Sequence, residues 1–289
     1  MKQLNLFIEL TRLKKPIGFM LLFWPCAWGL TLSYDFTNNL SDYFFYLSLF
    51  FLGSVLMRSA GCIVNDISDK EFDKQVERTK NRPIASNKIS VKLAIFYTMV
   101  LCSLAFLVLI NFNNLTIFLA LGSMPLAFTY PLMKRFTYWP QLFLGITFNY
   151  GLVLGWTAIQ DEISIISIIF YLGAIFWTLG YDTIYGFQDI KDDEIIGVKS
   201  TSIKFKNSPK LFLLLCYIIF ISSFFTVGVY MNFSYLFYCF LPITITLLLY
   251  TQIYKLDFKK SKSCFKAFKN NNLIGLIILI NLFLGKIFI

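Results

Sequence analysis

Long apolar runs recur along the whole chain and limit the folds that it can adopt. Nine of these runs have about 20 residues, the length that a helix needs to cross the roughly 30 Å hydrocarbon core of a membrane. Because 57% of the 289 residues are hydrophobic, a water-soluble domain of this size could not bury so much apolar surface. The sequence therefore predicts an all-α, polytopic membrane protein. The expected spans are residues 16–34, 43–64, 91–110, 115–132, 142–159, 163–186, 211–230, 235–253 and 273–289.

The loops between these runs alternate in charge. Loops on one side carry acidic residues without Lys or Arg, whereas the other side takes almost all the basic residues of a chain with formal net charge +10. Since cytoplasmic loops are enriched in Lys and Arg, the N-terminus is predicted in the cytoplasm and the C-terminus outside. Only Lys286 falls on the wrong side. Orientation explains the positive surplus, so nucleic acid is not an expected partner.

Several kinds of chemistry are excluded by composition. The chain has no histidine, which removes imidazole bases and the common zinc ligand. Its six cysteines are scattered without a CxxC pair and are expected to be buried apolar residues. The N-terminal stretch contains Glu9 and a single Arg, and the apolar run after it lacks a small-residue cleavage site. We therefore expect a retained first helix, and a bacterial inner membrane is the simplest location.

A stripe of acidic residues follows the second apolar run. Continued as a helix, residues 58–82 place six chemically active side chains on one face, namely Arg58, Cys62, Asn65, Asp66, Asp69 and Asp73. Three carboxylates on one stripe repel each other, which makes sense if a hard cation such as Mg²⁺ lies among them. Arg58 lies inside a span at a cost of at least ~2.5 kcal/mol, so a ligand role is favoured over snorkelling to the interface.

A second acidic stretch follows four helices later. Residues 181–202 repeat the three-and-four spacing with Asp182, Tyr185, Asp189 and Asp193. Because an even number of crossings returns the chain to the same face, both stretches can line one pocket and clamp cations that bridge a diphosphate. We interpret the chain as one domain of two four-helix halves, about 16–132 and 142–253, plus a ninth helix.

Basic residues surround both stretches and suit phosphate or carboxylate oxygens. They are Arg58, Arg78, Arg82, Lys134, Arg135, Lys191 and Lys199. A role as topology anchors at a helix end is the alternative for Arg135, and it fits Lys134 still better.

The two acidic stretches carry a family resemblance. NDISDKEFDKQVERTKNRPIAS and YDTIYGFQDIKDDEIIGVKSTS resemble the UbiA superfamily of intramembrane aromatic prenyltransferases, whose pattern is NDxxDxxxD followed by DxxxD. The matching residues are Asn65, Asp66, Asp69, Asp73, Asp189 and Asp193. RTKNRPIAS and GYDTIYGFQD resemble the branch that acts on 4-hydroxybenzoate. RLKKPIGFMLLFWPCAWGL, LMRSAGCIVND, TYPLMKRFTYWPQ and CFKAFKNNN extend the resemblance nearly end to end.

The resemblance implies a nine-helix bundle around a central cavity open sideways to lipid, with Mg²⁺ as the cofactor. It implies transfer of a polyprenyl group from polyprenyl diphosphate to 4-hydroxybenzoate, ortho to the phenol, in ubiquinone synthesis. The expected metal and catalytic residues are Asp66, Asp69, Asp73, Asp189 and Asp193, supported by Asn65. Asp182 and Tyr185 are expected to orient substrate. Arg58 and Arg135 are candidates for the hydroxybenzoate carboxylate or the diphosphate, and Lys199 and Arg82 for the diphosphate.

Three alternatives remain at this stage. The acceptor could be another molecule, such as dihydroxynaphthoate or haem; the chain could be a cation or metabolite transporter; or it could bind a polyprenyl diphosphate without consuming it. A transport path should carry acidic residues at mid-membrane depth. Here ten of the chain's 16 acidic residues belong to the two stretches on the cytoplasmic side, which counts against transport.

Overall fold

The computed structural model describes residues 2–287, and the regular structure in that range is helical. The helices are α1 (Lys2–Thr11), α2 (Ile17–Ser33), α3 (Leu40–Ser68), α4 (Lys70–Asp73), α5 (Val91–Leu109), α6 (Asn114–Thr129), α7 (Pro140–Gln160), α8 (Ile165–Gly186), α9 (Ile190–Ile196), α10 (Thr201–Lys204), α11 (Pro209–Tyr230), α12 (Tyr235–Leu249) and α13 (Ser261–Ile287). A 3₁₀ turn, Tyr130–Arg135, continues α6, and a π turn, Tyr250–Tyr254, continues α12.

The predicted all-α membrane architecture is confirmed. Eight of the described helical segments are long and apolar enough to cross a membrane, namely α3, α5, α6 with its 3₁₀ turn, α7, α8, α11, α12 with its π turn, and α13. The remaining expected span, the first in chain order at residues 16–34, corresponds to α2, a shorter apolar helix of 17 residues. The chain is therefore a multi-pass membrane protein whose helix order matches the order of the apolar runs.

Helix ends differ from the expectation at both ends of the chain. The sequence did not predict α1, which packs Leu10 into a small apolar cluster with Ile63 and Ile84. The last helix begins at Ser261, 12 residues before the predicted start at residue 273. Its first turns are polar, so a search for apolar runs cannot find them. The predicted span 273–289 also includes residues 288 and 289, which lie outside the described residues.

The first helices of the two predicted halves, α2 and α7, pack along each other at the centre of the bundle. Gly155 makes this close approach possible, because a Cβ there would collide with the backbone of Gly29 and Leu30. Small residues at crossing points are the usual way for membrane helices to pack closely. Next to this crossing, Asn149 Nδ2 donates to Thr178 Oγ1 at 2.7 Å and ties α7 to α8.

Indole hydrogen bonds join α13 to its neighbouring helices. Trp24 donates to the Asn272 side chain at 3.0 Å, and Trp28 donates to the Gly275 carbonyl at 3.0 Å. Trp177 of α8 reaches Asn271 Oδ1 at 3.0 Å. Since buried polar groups in lipid must find protein partners, these contacts fix α13 against α2 and α8.

Lys286, the basic residue that breaks the charge rule, caps the end of α2. Its Nζ donates to the carbonyls of Leu32 at 2.7 Å and Tyr34 at 2.5 Å. These carbonyls lie at the C-terminal end of α2, where the helix dipole favours a positive charge. Lys286 therefore has a structural partner and does not contradict the orientation drawn from the other basic residues.

Replacing Lys286 by Met should lower the stability of the folded protein. The change leaves two carbonyls without their charged donor, at a cost of about 1–2 kcal/mol. We expect the thermal unfolding midpoint in detergent to fall by about 4 °C. Lys262→Met, on an exposed residue of the same helix, is the matched control and should leave the midpoint unchanged. Equal midpoints for the two variants would mean that the cap contributes nothing.

Candidate active site

The acidic stripe lies where α3 ends, and the helix breaks in the middle of it. α3 stops at Ser68, Asp69 adopts φ −98° and ψ 6°, and α4 follows for a single turn. The expectation of one uninterrupted helix through Asp73 is therefore wrong. The break has a physical reason: the cations that neutralise these buried carboxylates come from different elements, and the turn at Asp69 directs the carboxylates toward them.

All three aspartates of the first stretch are buried, with 2% exposure for Asp66, 3% for Asp69 and 6% for Asp73. Arg82 Nη1 bridges two of them, at 3.1 Å from Asp66 Oδ1 and 2.7 Å from Asp73 Oδ2. Arg12, which follows α1, donates a second hydrogen bond to Asp66. Burial raises the pKa of Asp73, while the charge of Arg82 opposes this change. Guanidinium groups thus neutralise the Asp66 and Asp73 carboxylates of the stripe.

The second acidic stretch repeats this break. α8 ends at Gly186, Asp189 adopts φ −113° and ψ 8°, and α9 begins at Ile190. Arg78, from the loop after α4, donates from Nε to Asp189 Oδ1 at 2.8 Å and from Nη1 to the Tyr185 hydroxyl at 3.2 Å. Arg78 therefore joins the two stretches, which lie at the same end of the bundle as the spacing predicted.

Lys134 makes the second connection. Its Nζ lies 2.6 Å from Asp69 Oδ2, and its charge also acts on Asp193. Burial, and then repulsion from Asp189, raise the pKa of Asp193 to about 6. Additional positive charge would therefore stabilise the ionised form of Asp193.

The other predicted residues lie at different distances from this cluster. Arg135 Nη2 donates to the Ser68 carbonyl at 2.5 Å, at the break itself. Lys199 Nζ donates to the Phe136 carbonyl at 3.2 Å and has no contact with the acidic cluster among the described residues. Asn65 is half-buried and accepts the Asp69 amide on its carbonyl at 2.9 Å. Asp182 lies deeper and close enough to Arg58 for electrostatic interaction.

Arg58 faces an apolar cavity of about 220 Å³ between α2, α3, α5, α6 and α7. Its guanidinium lies 5.4 Å from the centre of the Phe148 ring, and within residues 2–287 its buried Nε has no hydrogen-bond partner. Tyr130 lines the same cavity. A guanidinium in the cavity wall with an unsatisfied donor suits an anionic group of a ligand.

Sequence reasoning underrated three cations. The sequence indicates only an orientation role for Arg12 and chiefly a topology role for Lys134, yet both neutralise buried aspartates. Arg78 was named only among the surrounding basic residues, although it pairs with Asp189. No spacing rule relates these partners, since 54 residues separate Arg12 from Asp66 and 111 separate Arg78 from Asp189. The only available signal was the excess of buried negative charge, which requires cations of unknown origin.

A hard divalent cation fits this cluster. Carboxylate oxygen is the ligand that such cations prefer, and the cluster contains five carboxylates. Within the described residues, Asp69 Oδ1 is buried without a hydrogen-bond partner. No three carboxylates or thiolates of residues 2–287 are arranged as a ligand set, because Arg and Lys side chains lie between the aspartates. Ligand oxygens are therefore available, and their present partners are charged side chains.

Buried aspartates neutralised by basic side chains, beside an apolar cavity inside a helical membrane bundle, define a protein that handles an anionic amphiphile within the bilayer. The sequence model of the UbiA prenyltransferase family matches residues 22–277. The chain belongs to this family.

Curated relatives match it nearly end to end. The Bos taurus protein "4-hydroxybenzoate polyprenyltransferase, mitochondrial" is 42% identical over 287 residues, which cover 99% of this chain and 76% of the relative. The Hydrogenovibrio crunogenus protein "4-hydroxybenzoate octaprenyltransferase" is 38% identical over 286 residues, covering 99% of both chains.

Solved structures share the fold. An apo UbiA homologue from Aeropyrum pernix K1 aligns with a TM-score of 0.76 at 23% identity, over 92% of this chain and 97% of that one. A UbiA homologue from Archaeoglobus fulgidus, solved with GPP and Mg²⁺, aligns with a TM-score of 0.67 at 16% identity, over 97% and 99% of the two chains. The same Archaeoglobus protein was also solved with Cd²⁺.

Proposed function

We propose that this chain transfers a polyprenyl group from polyprenyl diphosphate to 4-hydroxybenzoate in ubiquinone biosynthesis. The bond between the allylic carbon and the diphosphate oxygen breaks, a bond forms to the ring carbon ortho to the phenol, and that carbon loses its proton. The observation that carries the proposal is the roughly 40% identity, over the whole chain, to relatives named for this reaction.

The basic side chains of the site would bind the diphosphate. Arg12, Arg78, Arg82 and Lys134 pair with aspartates. A guanidinium binds phosphate oxygens through two parallel hydrogen bonds and the lysine ammonium binds them as a point charge, so these side chains can exchange a carboxylate for a diphosphate. Positive side chains beside the departing diphosphate stabilise the negative charge that develops on it in the transition state.

A divalent cation, which we propose to be Mg²⁺, would be held by Asp66, Asp69, Asp73, Asp189 and Asp193 and supplies additional positive charge to the leaving diphosphate. Asn65 lies beside the break at Asp69 and would support this set. The fit rests on the unpartnered Asp69 Oδ1 and on the raised pKa of Asp193.

The cavity would protect the allylic cation from water. It is lined mostly by apolar side chains, and such a lining excludes competing hydrolysis. Arg58, with its unpartnered Nε, would hold the carboxylate of the acceptor, and Asp182 and Tyr185 would orient the acceptor or the groups around it. Arg135 and Lys199 lie at the rim and would attract the anionic substrates. Holding both reactants in one cavity supplies the proximity that the ring attack needs.

An acceptor competition tests the proposal. Purified protein receives geranyl diphosphate, Mg²⁺ and an equimolar mixture of 4-hydroxybenzoate and 1,4-dihydroxy-2-naphthoate, and mass spectrometry identifies the products. We expect only the hydroxybenzoate to gain a prenyl group. Prenylation of the naphthoate alone would reject the acceptor and keep the reaction class. Absence of any prenylated product from folded protein would reject the function.

We also propose a bacterial inner membrane, with the N-terminus and the acidic cluster toward the cytoplasm and the C-terminus in the periplasm. The support is the positive-inside distribution of Lys and Arg and the Lys286 cap, which accounts for the exception. Alkaline phosphatase fused after Ile289 should be active, and the same enzyme fused after Lys206 should be inactive. The reverse pattern would invert the orientation.

A further inference from the structure

The apolar cavity is a candidate for the prenyl tail, and one glycine in its wall has unusual surroundings. Gly53 of α3 lines the cavity. No atom of the described chain lies within 4 Å of the point where its Cβ would be. Gly61, two helical turns nearer the acidic cluster, lines the same wall and has the same open surroundings. The two glycines leave two gaps in the cavity face of α3, one on each side of Met57, which also lines the cavity.

The cavity has a polar end and an apolar end. Arg58, with its buried and unpartnered Nε, and Tyr130 lie at the polar end. Phe50 and Phe112 line the opposite end. A hydrocarbon tail that enters from the acidic cluster and passes Arg58 matches this division, because its far part then meets apolar groups.

The mouth of the cavity faces lipid between α5 and α6. Phe106 of α5 and Leu121 of α6 both line the cavity, and each side chain is 47% exposed on the outside of the bundle. A tail longer than the cavity can therefore continue into the membrane. Inside the protein, by contrast, the side chains of α3 that line the cavity limit the space for the tail.

Helix geometry relates Gly53 to the length of the tail. Thirteen residues separate Gly53 from Asp66, which corresponds to about 20 Å along the axis of α3. One isoprene unit adds four chain bonds of about 1.5 Å, so an extended unit advances by about 5 Å. A tail whose head lies at the acidic cluster passes Gly53 at about its fourth unit.

We propose that Gly53 determines which prenyl donors the enzyme accepts, because its missing side chain keeps the cavity open for donors longer than about three isoprene units. This inference rests on the proposed function. A leucine at residue 53 would fill the passage while leaving the space near Arg58 unchanged, so short donors would still fit. The chain length tolerated by the site would then be set by α3 and not by the acidic cluster.

Gly53→Leu tests the proposal with two donors, octaprenyl diphosphate and geranyl diphosphate. We expect kcat/KM for the octaprenyl donor to fall by about 20-fold or more relative to the geranyl donor, a range typical of a blocked hydrophobic pocket. Gly122→Leu is the matched control: Gly122 is an exposed glycine of α6 that has equally open surroundings but does not line the cavity. Its donor ratio should equal that of the wild type.

The outcomes separate the inference from the function beneath it. If Gly53→Leu keeps the wild-type donor ratio, the tail does not pass Gly53 and the inference is overturned. Should Gly53→Leu fail to fold, Ala120→Leu narrows the same cavity from α6, and the same shift toward the short donor is required. A wild-type protein that uses neither donor would instead reject the proposed function.

Discussion

Asp69→Asn should reduce prenyl transfer by about 10²- to 10³-fold, the range observed when a charge-stabilising group is removed from a transition state. The substitution keeps the shape of the side chain and removes its charge. Asp69 lies at the break between α3 and α4, and Lys134 contacts only its Oδ2. The other oxygen, Oδ1, is the one carboxylate oxygen of the described site that is buried without a hydrogen-bond partner.

The loss should concern the reaction and not the fold. The amide side chain of this variant would retain one oxygen acceptor for Lys134, so the thermal midpoint without metal should stay close to that of the wild type. Stabilisation by added Mg²⁺, measured as the rise of that midpoint, should be reduced in the variant because a metal ligand has lost its charge.

Glu71→Gln is the matched control. Glu71 lies two residues away on α4, where it is exposed and pairs with Lys74 at the surface. Removing this charge should leave transfer unchanged, since an exposed ion pair contributes little. Activity of Asp69→Asn equal to that of Glu71→Gln would refute the assignment of Asp69 to the site.

Arg82→Leu should destabilise the metal-free protein by about 3 kcal/mol, the cost of removing one partner from a buried ion pair. The Arg82 side chain is 20% exposed. Of the two side chains that it bridges, Asp66 is 2% exposed and Asp73 is 9% exposed, both counted for the side chain alone. Without Arg82, Asp66 keeps Arg12 as a partner, whereas Asp73 loses its ion pair. Two buried carboxylates would then repel each other with less compensation.

Equilibrium unfolding in mixed detergent micelles measures this effect. Added Mg²⁺ should restore part of the lost free energy of unfolding, because the cation can neutralise the same carboxylates. Lys80→Met serves as the control, because Lys80 lies on the same loop and pairs with Glu77 at an exposed site. If Arg82→Leu and Lys80→Met unfold alike, Arg82 does not neutralise the stripe in solution.

Much of the fold could be predicted because each membrane helix is recognisable from its own sequence. The hydrocarbon core requires about 20 apolar residues per crossing, so each span leaves its own local signal. The acidic stretches were equally visible, since they contain ten of the chain's 16 acidic residues. Their meeting at one end of the bundle followed from counting crossings.

The parts that could not be predicted are those with no local signal. The breaks at Asp69 and Asp189 depend on where the neutralising cations lie, and the pairs Arg12 with Asp66 and Arg78 with Asp189 join residues far apart in sequence. The polar start of α13 and the amphipathic α1 also escape a search for apolar spans. The role of Lys286 could not be predicted without knowing where the carbonyls at the end of α2 lie.

The most direct test of the central claim is transfer of label from radioactive 4-hydroxybenzoate to a lipid-soluble product. Wild-type protein in lipid nanodiscs would receive octaprenyl diphosphate with Mg²⁺, and in parallel with EDTA. We expect labelled lipid and released diphosphate in equal amounts with Mg²⁺ and neither with EDTA. Diphosphate release without labelled lipid, or labelled lipid formed equally well in EDTA, would contradict the claim that the acidic cluster drives prenyl transfer to this acceptor through a divalent cation.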